Sequence, residues 1–216
     1  MGVVPVSYYL RHLGASTLNL NHHGLGPLGA KALATALAVR AGVALELEDN
    51  FLLSEGTRYI VEMLNLFLCP MQNLSSNHLR AAGAECVAKM LPDNVSLRSI
   101  RLSGSIRRDG AATLKNQVNI TLKHLDLSWN GFGNEGALAL GEALKYNDTL
   151  VHLDLSHNRV TNEGARTLCR GLEINDTLRS AWSSHVLPVS AWVSSGCSGF
   201  LPHSKDMLFR FTDSDD

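Results

Sequence analysis

Leu122-Lys-His-Leu-Asp-Leu-Ser-Trp-Asn130 recurs 28 residues later as Leu150-Val-His-Leu-Asp-Leu-Ser-His-Asn158. Each copy is followed six residues on by a glycine, Gly136 or Gly164, and then by a helical apolar stripe. A fixed period of this size implies a solenoid, in which each unit buries its apolar face only against its neighbours. Weaker copies lie upstream, with anchor residues at His23, Asn50, Asn77 and Ser105. The anchors at 23, 50, 77, 105, 130 and 158 are therefore spaced by 27, 27, 28, 25 and 28 residues. Gly29, Gly56 and Gly83 keep the six-residue offset, while Gly110 comes one residue early.

Within a unit, Leu125 and Leu127 alternate with His124, Asp126 and Ser128, the period of a strand with one buried face. After the glycine, Ala137, Leu140, Ala143 and Leu144 recur at helical spacing. Ala165, Leu168 and Leu172 do the same, as do Ala30, Leu33, Ala36 and Leu37. Asn147 and Asn175 are expected to end their helices in a left-handed turn. Parallel strands stack about 4.8 Å apart, whereas packed helices need about 8–10 Å. The predicted architecture is an α/β solenoid, a partial horseshoe with parallel strands on the concave face and helices on the convex face.

The pattern Leu-x-x-Leu-x-Leu-x-x-Asn with a 28-residue helical unit resembles the ribonuclease-inhibitor-like class of leucine-rich repeats. The stretches Leu18-Asn19-Leu20-Asn21-His22-His23-Gly24-Leu25-Gly26 and Leu79-Arg-Ala-Ala-Gly-Ala-Glu-Cys-Val-Ala-Lys89 are similar to the vertebrate leucine-rich-repeat-containing protein 74 group. The class resemblance implies protein binding and no inherited catalytic residue. The group resemblance implies more repeats than this chain carries, as in a shortened isoform or gene model. Another member of the class activates a small GTPase, which makes regulation of a small GTPase the alternative function.

Three segments are expected: a lead-in over 1–14, about six repeats over 15–180, and an irregular tail over 181–216. Ala181 and Ser183 stand in the tail where the pattern calls for leucine, and Pro188 and Pro202 follow among many serines. The short fourth unit is expected to carry a helix truncated near Gln117.

The 216 residues include 19 basic and 20 acidic side chains, so nucleic-acid binding, which needs a basic face, is not expected. No apolar run reaches the ~18 residues of a membrane span. The N-terminus lacks a basic region and contains Pro5, a poor signal peptide, and Val6 breaks the myristoylation pattern. Cys69, Cys86, Cys169 and Cys197 form no paired motif. Cys86 and Cys169 read as buried free thiols at equivalent helical sites, which suits a reducing cytoplasmic compartment. So few thiols also set the chain apart from the thiol-rich ribonuclease inhibitors. Asn73, Asn94, Asn119, Asn147 and Asn175 head glycosylation sequons, four of them at one helix-to-strand turn, and read as a by-product of the repeat.

The candidate site comprises the residues alternating with the buried leucines in the two best units. His124 and Asp126 are expected beside His152 and Asp154 on neighbouring strands. Two histidines and two aspartates in such a square have zinc-binding chemistry, but a polar partner-binding surface is the preferred reading, with no metal and no cofactor. Trp129 and His157 stand just before the anchor asparagines. Trp129 serves either as an exposed contact anchor or as a cover over the next loop. Glu46, Glu48 and Asp49 form an acidic patch, and Arg101, Arg107 and Arg108 a basic one. No phosphate loop, nucleophile elbow or paired-cysteine zinc motif is present. The expected protein is a monomeric, non-enzymatic scaffold that binds an unidentified protein, with no membrane or nucleic-acid partner.

Overall fold

The computed structural model describes residues 14–37, 42–66, 68–106, 119–182 and 208–210. Eight three-residue strands form one parallel sheet in sequence order. They are β1 (Thr17–Asn19), β2 (Ala44–Glu46), β3 (Met71–Asn73), β4 (Ser99–Arg101), β5 (His124–Asp126), β6 (His152–Asp154), β7 (Ser180–Trp182) and β8 (Leu208–Arg210). The described helices are α1 (Gly26–Leu37), α2 (Leu53–Leu66), α3 (Arg80–Met90), α4 (Asn134–Leu144) and α5 (Asn162–Leu172). Helices packed on one side of an open parallel sheet make the chain an α/β leucine-rich-repeat solenoid.

Register turns the repeat into columns. Leu18, Leu45, Gln72, Ile100, Leu125, Leu153 and Ala181 stand in line across β1 to β7. Two residues on, Leu20, Leu47, Leu74, Leu102, Leu127 and Leu155 are all buried. One core cluster runs through both columns and the inner faces of the helices. Gln72 is the exception, 2% exposed in a leucine column, with neither amide atom hydrogen-bonded.

The anchor asparagines bond each coil to its neighbours. Asn158 Oδ1 accepts the backbone N–H groups of Asn130 and Phe132, both at 3.0 Å, and its Nδ2 donates to the Leu127 carbonyl at 2.9 Å. Asn130 links to Ile106 N–H and the Leu102 carbonyl in the same way. Asn77 and Asn50 repeat the pattern towards the N-terminus. Ser105 keeps a shortened version, in which its hydroxyl accepts from Asn77 N–H and donates to the Leu74 carbonyl.

The left-handed turns lie elsewhere than predicted. Asn147 and Asn175 do not adopt positive φ; His22, Asp49, Ser76, Gly104, Trp129 and His157 do, each immediately before an anchor residue. The sequon asparagines have a different role. Asn175 Oδ1 accepts from Thr177 and Leu178 N–H, while Nδ2 reaches back to the Leu144 and Asn147 carbonyls. Asn94, Asn119 and Asn147 make equivalent bonds, so a second asparagine ladder satisfies the carbonyls that helix ends leave open. The sequon threonines join it, Thr149 Oγ1 donating to the Asn119 carbonyl at 2.7 Å. Asn73 belongs to neither ladder: it lies on β3 and donates to Glu46 and Glu48.

The repeat glycines admit close packing at each helix start. A side chain at Gly136 would collide with Phe132, and one at Gly164 with Asn134 and Val160. Between α4 and α5, Gly141 and Gly171 face each other so closely that a Cβ at Gly171 would strike the Gly141 carbonyl.

Two further expectations change. The sheet continues past residue 180, because Ala181 is small enough to be buried beside Leu153 in the core column and β8 pairs with β7 beyond it. Cys86 and Cys169 are not equivalent. They follow their helix glycines by three and five residues, so Cys86 is half-buried and Cys169 buried. Cys69 is buried too, and desolvation pushes its thiol pKa up. Cys197, Arg107, Arg108 and Gln117 lie outside the described residues.

Candidate functional site

Because the side-chain period of a strand is two, packing half-buried Leu125 and buried Leu153 against the core aims His124, Asp126, His152 and Asp154 out of the opposite face. Parallel register then pairs like with like: His124 lies opposite His152, and Asp126 opposite Asp154. The imidazoles stack, with centroids 4.5 Å apart and planes 11° from parallel. His152 Nδ1 lies 2.5 Å from Ser180 Oγ on β7. Desolvation, and then the neighbouring His152, hold the His124 pKa below its usual value.

The carboxylates are held by their own turns. Asp126 Oδ1 accepts from Ser128 N–H at 2.9 Å and Ser128 Oγ at 2.7 Å, and Asp154 Oδ1 accepts from Ser156 N–H at 2.8 Å. Among the described residues no hydrogen bond or ion pair reaches Oδ2 of either aspartate. Arg101, in register with Asp126 on the same face, lines the concavity beside it and extends across β3, with Nη2 4.0 Å from Glu46 Oε1.

Three residues after each aspartate the chain turns left-handed. Trp129 (φ 59°) and His157 (φ 54°) project at the rim and stack, with centroids 3.9 Å apart and planes 14° from parallel. Trp129 packs on His157 of the next unit and still stays 63% exposed. From the depth of the concavity to its rim, β5 and β6 thus present an imidazole stack, a carboxylate pair, a serine pair and an indole–imidazole stack.

A depression of about 710 Å³ lies over this area, lined by Met71, Arg98, His124, Asp126, His152 and Asp154 among others. The sequence reading missed Met71 and Arg98. Their units match the repeat poorly, so only the register identifies them as neighbours of His124. It also missed Phe51 and His78, whose rings meet at 5.6 Å on the same rim. Among the described residues no group of three or more His, Cys, Asp or Glu side chains is placed to hold a metal ion, and no helix is long and apolar enough to cross a membrane. The acidic patch is partly internalised: Glu46 is 18% exposed at its side chain, whereas Asp49 meets His22 at 3.1 Å on the rim.

The sheet, both asparagine ladders and the repeat are those of a leucine-rich-repeat solenoid, and residues 16–34, 118–141 and 146–169 match the leucine-rich-repeat family model. Within that class the chain resembles leucine-rich repeat-containing protein 74B: 66% identical to the mouse protein over 35 residues, and 58% identical to the human one over 36. Those matches cover 16% and 17% of this chain, and 9% of the length of each relative. Among solved structures, leiomodin-1 actin-binding site 2 shares the fold, with a TM-score of 0.53 and 18% identity over 66% of this chain and 84% of that one.

Proposed function

We propose that the chain is a protein-interaction scaffold whose partner docks on the concave ends of β5 and β6 and on the rim above them. The observation that carries this reading is the contiguity of His124, Asp126, Trp129, His152, Asp154 and His157, which form two stacked ring pairs around two carboxylates. Rigid strands hold these side chains in register, which lowers the ordering cost of binding. An exposed tryptophan among polar groups has the composition of an interface hot spot. The class supports the reading too, since repeat solenoids offer extended concave surfaces to partners, and the structural neighbour from leiomodin-1 is an actin-binding site.

The test is capture of partners from cell extract by the wild-type chain, by Trp129→Ala/His152→Ala, and by Glu142→Ala/Lys145→Ala on α4, each confirmed folded by circular dichroism. Glu142 and Lys145 form an exposed ion pair at 2.7 Å on the helical side. Partners should be lost from the concave variant and kept by the helical one. The opposite result places the interface on the convex side.

A further inference from the structure

We infer that Asn130 is a modification site, where the Gly131 backbone nitrogen displaces the side-chain amide and hydrogen bonds from both neighbouring coils control the reaction. Asn130-Gly131 is the one Asn-Gly pair in the chain. Asn50, Asn77 and Asn158 hold the same ladder position but are followed by Phe51, His78 and Arg159. In such a pair the backbone nitrogen of the second residue can attack the side-chain carbonyl carbon of the first, and a Cβ on the second residue hinders the approach. Gly131 has no Cβ. It is half-buried, and beyond its chain neighbours no atom lies within 4 Å of where a Cβ would stand, so water reaches it although Asn130 is 4% exposed. The bond from Gly131 N to Asn130 Cγ forms as Cγ–Nδ2 breaks, and ammonia leaves with the Gly131 proton. Water then opens the succinimide at either carbonyl. The product is an aspartyl residue, or an isoaspartyl one whose main chain runs through the former side chain.

In the folded chain the pair is held from both sides. Asn130 Oδ1 accepts from Ile106 N–H and Nδ2 donates to the Leu102 carbonyl at 2.9 Å, so both amide atoms are turned towards the preceding coil. From the following coil, Asn158 Oδ1 accepts the N–H groups of Asn130 and Phe132, each at 3.0 Å, which fixes the backbone before and after Gly131. Attack requires the amide to leave Leu102 and Ile106 and swing over its own main chain. It therefore proceeds from a locally opened coil, at a rate set by the opened fraction. The change is one-way. Neither product has an Nδ2 to donate, which leaves the Leu102 carbonyl with the Ser105 N–H alone, and the new carboxylate falls where Asn130 is buried. The isoaspartyl form also lengthens the main chain directly after Trp129, whose left-handed turn sets the rim. Reclosing is opposed, and the coil stays loosened.

The test follows the purified chain at mildly alkaline pH, folded and in denaturing urea, by peptide mapping that separates amide, aspartyl and isoaspartyl forms at each ladder asparagine. In urea, position 130 should react at least about tenfold faster than positions 50, 77 and 158 and should yield isoaspartate. Gly131→Ala supplies the missing Cβ and should slow that reaction in urea by about tenfold. Folding should slow the wild-type reaction by about tenfold or more. Asn158→Ala frees the two N–H groups that flank Gly131, so it should raise the folded rate by about tenfold and leave the rate in urea unchanged. If Asn158→Ala does not fold, the wild type in urea below its unfolding midpoint takes its place, and its rate should climb with urea. Equal rates at the four asparagines, aspartate formed without isoaspartate, or a folded rate equal to the unfolded one would each overturn the inference. So would a folded rate that neither Asn158→Ala nor mild urea raises.

Discussion

Trp129 occupies a backbone position that suits it poorly. The equivalent residues are His22, Asp49, Ser76, Gly104 and His157, and a left-handed φ disfavours bulky side chains. Glycine at this position should therefore be better tolerated than alanine. We expect Trp129→Gly to be more stable than Trp129→Ala by about 0.5–1 kcal/mol in urea melts, while both lose partner capture. An alanine variant as stable as the glycine one would show that the left-handed turn carries no strain. Gln72 is the converse case, a polar side chain in an apolar column. Gln72→Leu should stabilise the chain by about 1–3 kcal/mol, because it removes an amide that has lost its water without gaining a partner. A destabilised leucine variant would mean that the amide is satisfied in solution. His124 links stability to pH. Its folded-state pKa is depressed, so its contribution is full above the unfolded value of about 6.5 and is lost as pH falls through the folded value. Stability measured from pH 7.5 to pH 5 should fall less in His124→Gln than in the wild type. The groups facing His124 from the described elements are Arg98 and Arg101 beside β4, Lys123 and Asp126 on its own segment, and His152 and Asp154 on β6. Equal slopes in the two proteins would rule the linkage out.

Strands of three residues cannot hold a sheet by backbone pairing alone, and the elements are joined by side chains instead. The anchor asparagines tie each strand end to the next, and the sequon asparagines tie each helix end to the following turn. Removing one leaves buried backbone groups unpaired. Asn130→Ala strips Ile106 N–H of its partner and leaves the Leu102 carbonyl with only the Ser105 N–H, and should cost about 1–3 kcal/mol. A urea midpoint unchanged within error would deny the ladder its structural role. Helix contacts show the same dependence on detail. The α4–α5 pair approaches closely because Gly141 and Gly171 remove side chains from the contact. Both ladders were partly legible. The anchor asparagines recur at the end of a conspicuous motif, so their structural role followed from the repeat. The sequon asparagines recur equally well but were assigned to left-handed turns, because composition does not distinguish an asparagine that adopts an unusual φ from one whose amide bridges two coils.

The whole chain behaves as a row of nearest-neighbour units, and this has a thermodynamic consequence. In a solenoid, distant coils communicate only through those between them. Asn50 and Asn158 share no hydrogen-bond partner, so the losses in Asn50→Ala/Asn158→Ala should add within about 0.5 kcal/mol. The backbone N–H of Asn130 donates to Asn158 Oδ1, so the Asn158 amide fixes the backbone that carries the Asn130 amide, and Asn130→Ala/Asn158→Ala should depart from additivity by more than about 0.5 kcal/mol. Additive neighbours would show that the ladder bonds act independently. Architecture at this scale was written openly in the chain. Two near-identical nonapeptides 28 residues apart, with glycine and an apolar stripe after each, specify strand, loop and helix because stacking like coils buries both the strand and the helix stripes. The pairing of His124 with His152 and of Asp126 with Asp154 was legible for the same reason, since a period that repeats identical residues must stack them. Three features belonged to tertiary structure alone. They are the diversion of Arg101 to Glu46, the addition of Met71 and Arg98 to the depression, and the continuation of the sheet through Ala181. Each depends on which side chains meet across coils of imperfect repeat, where periodicity says that a neighbour exists and only packing decides which atoms it offers.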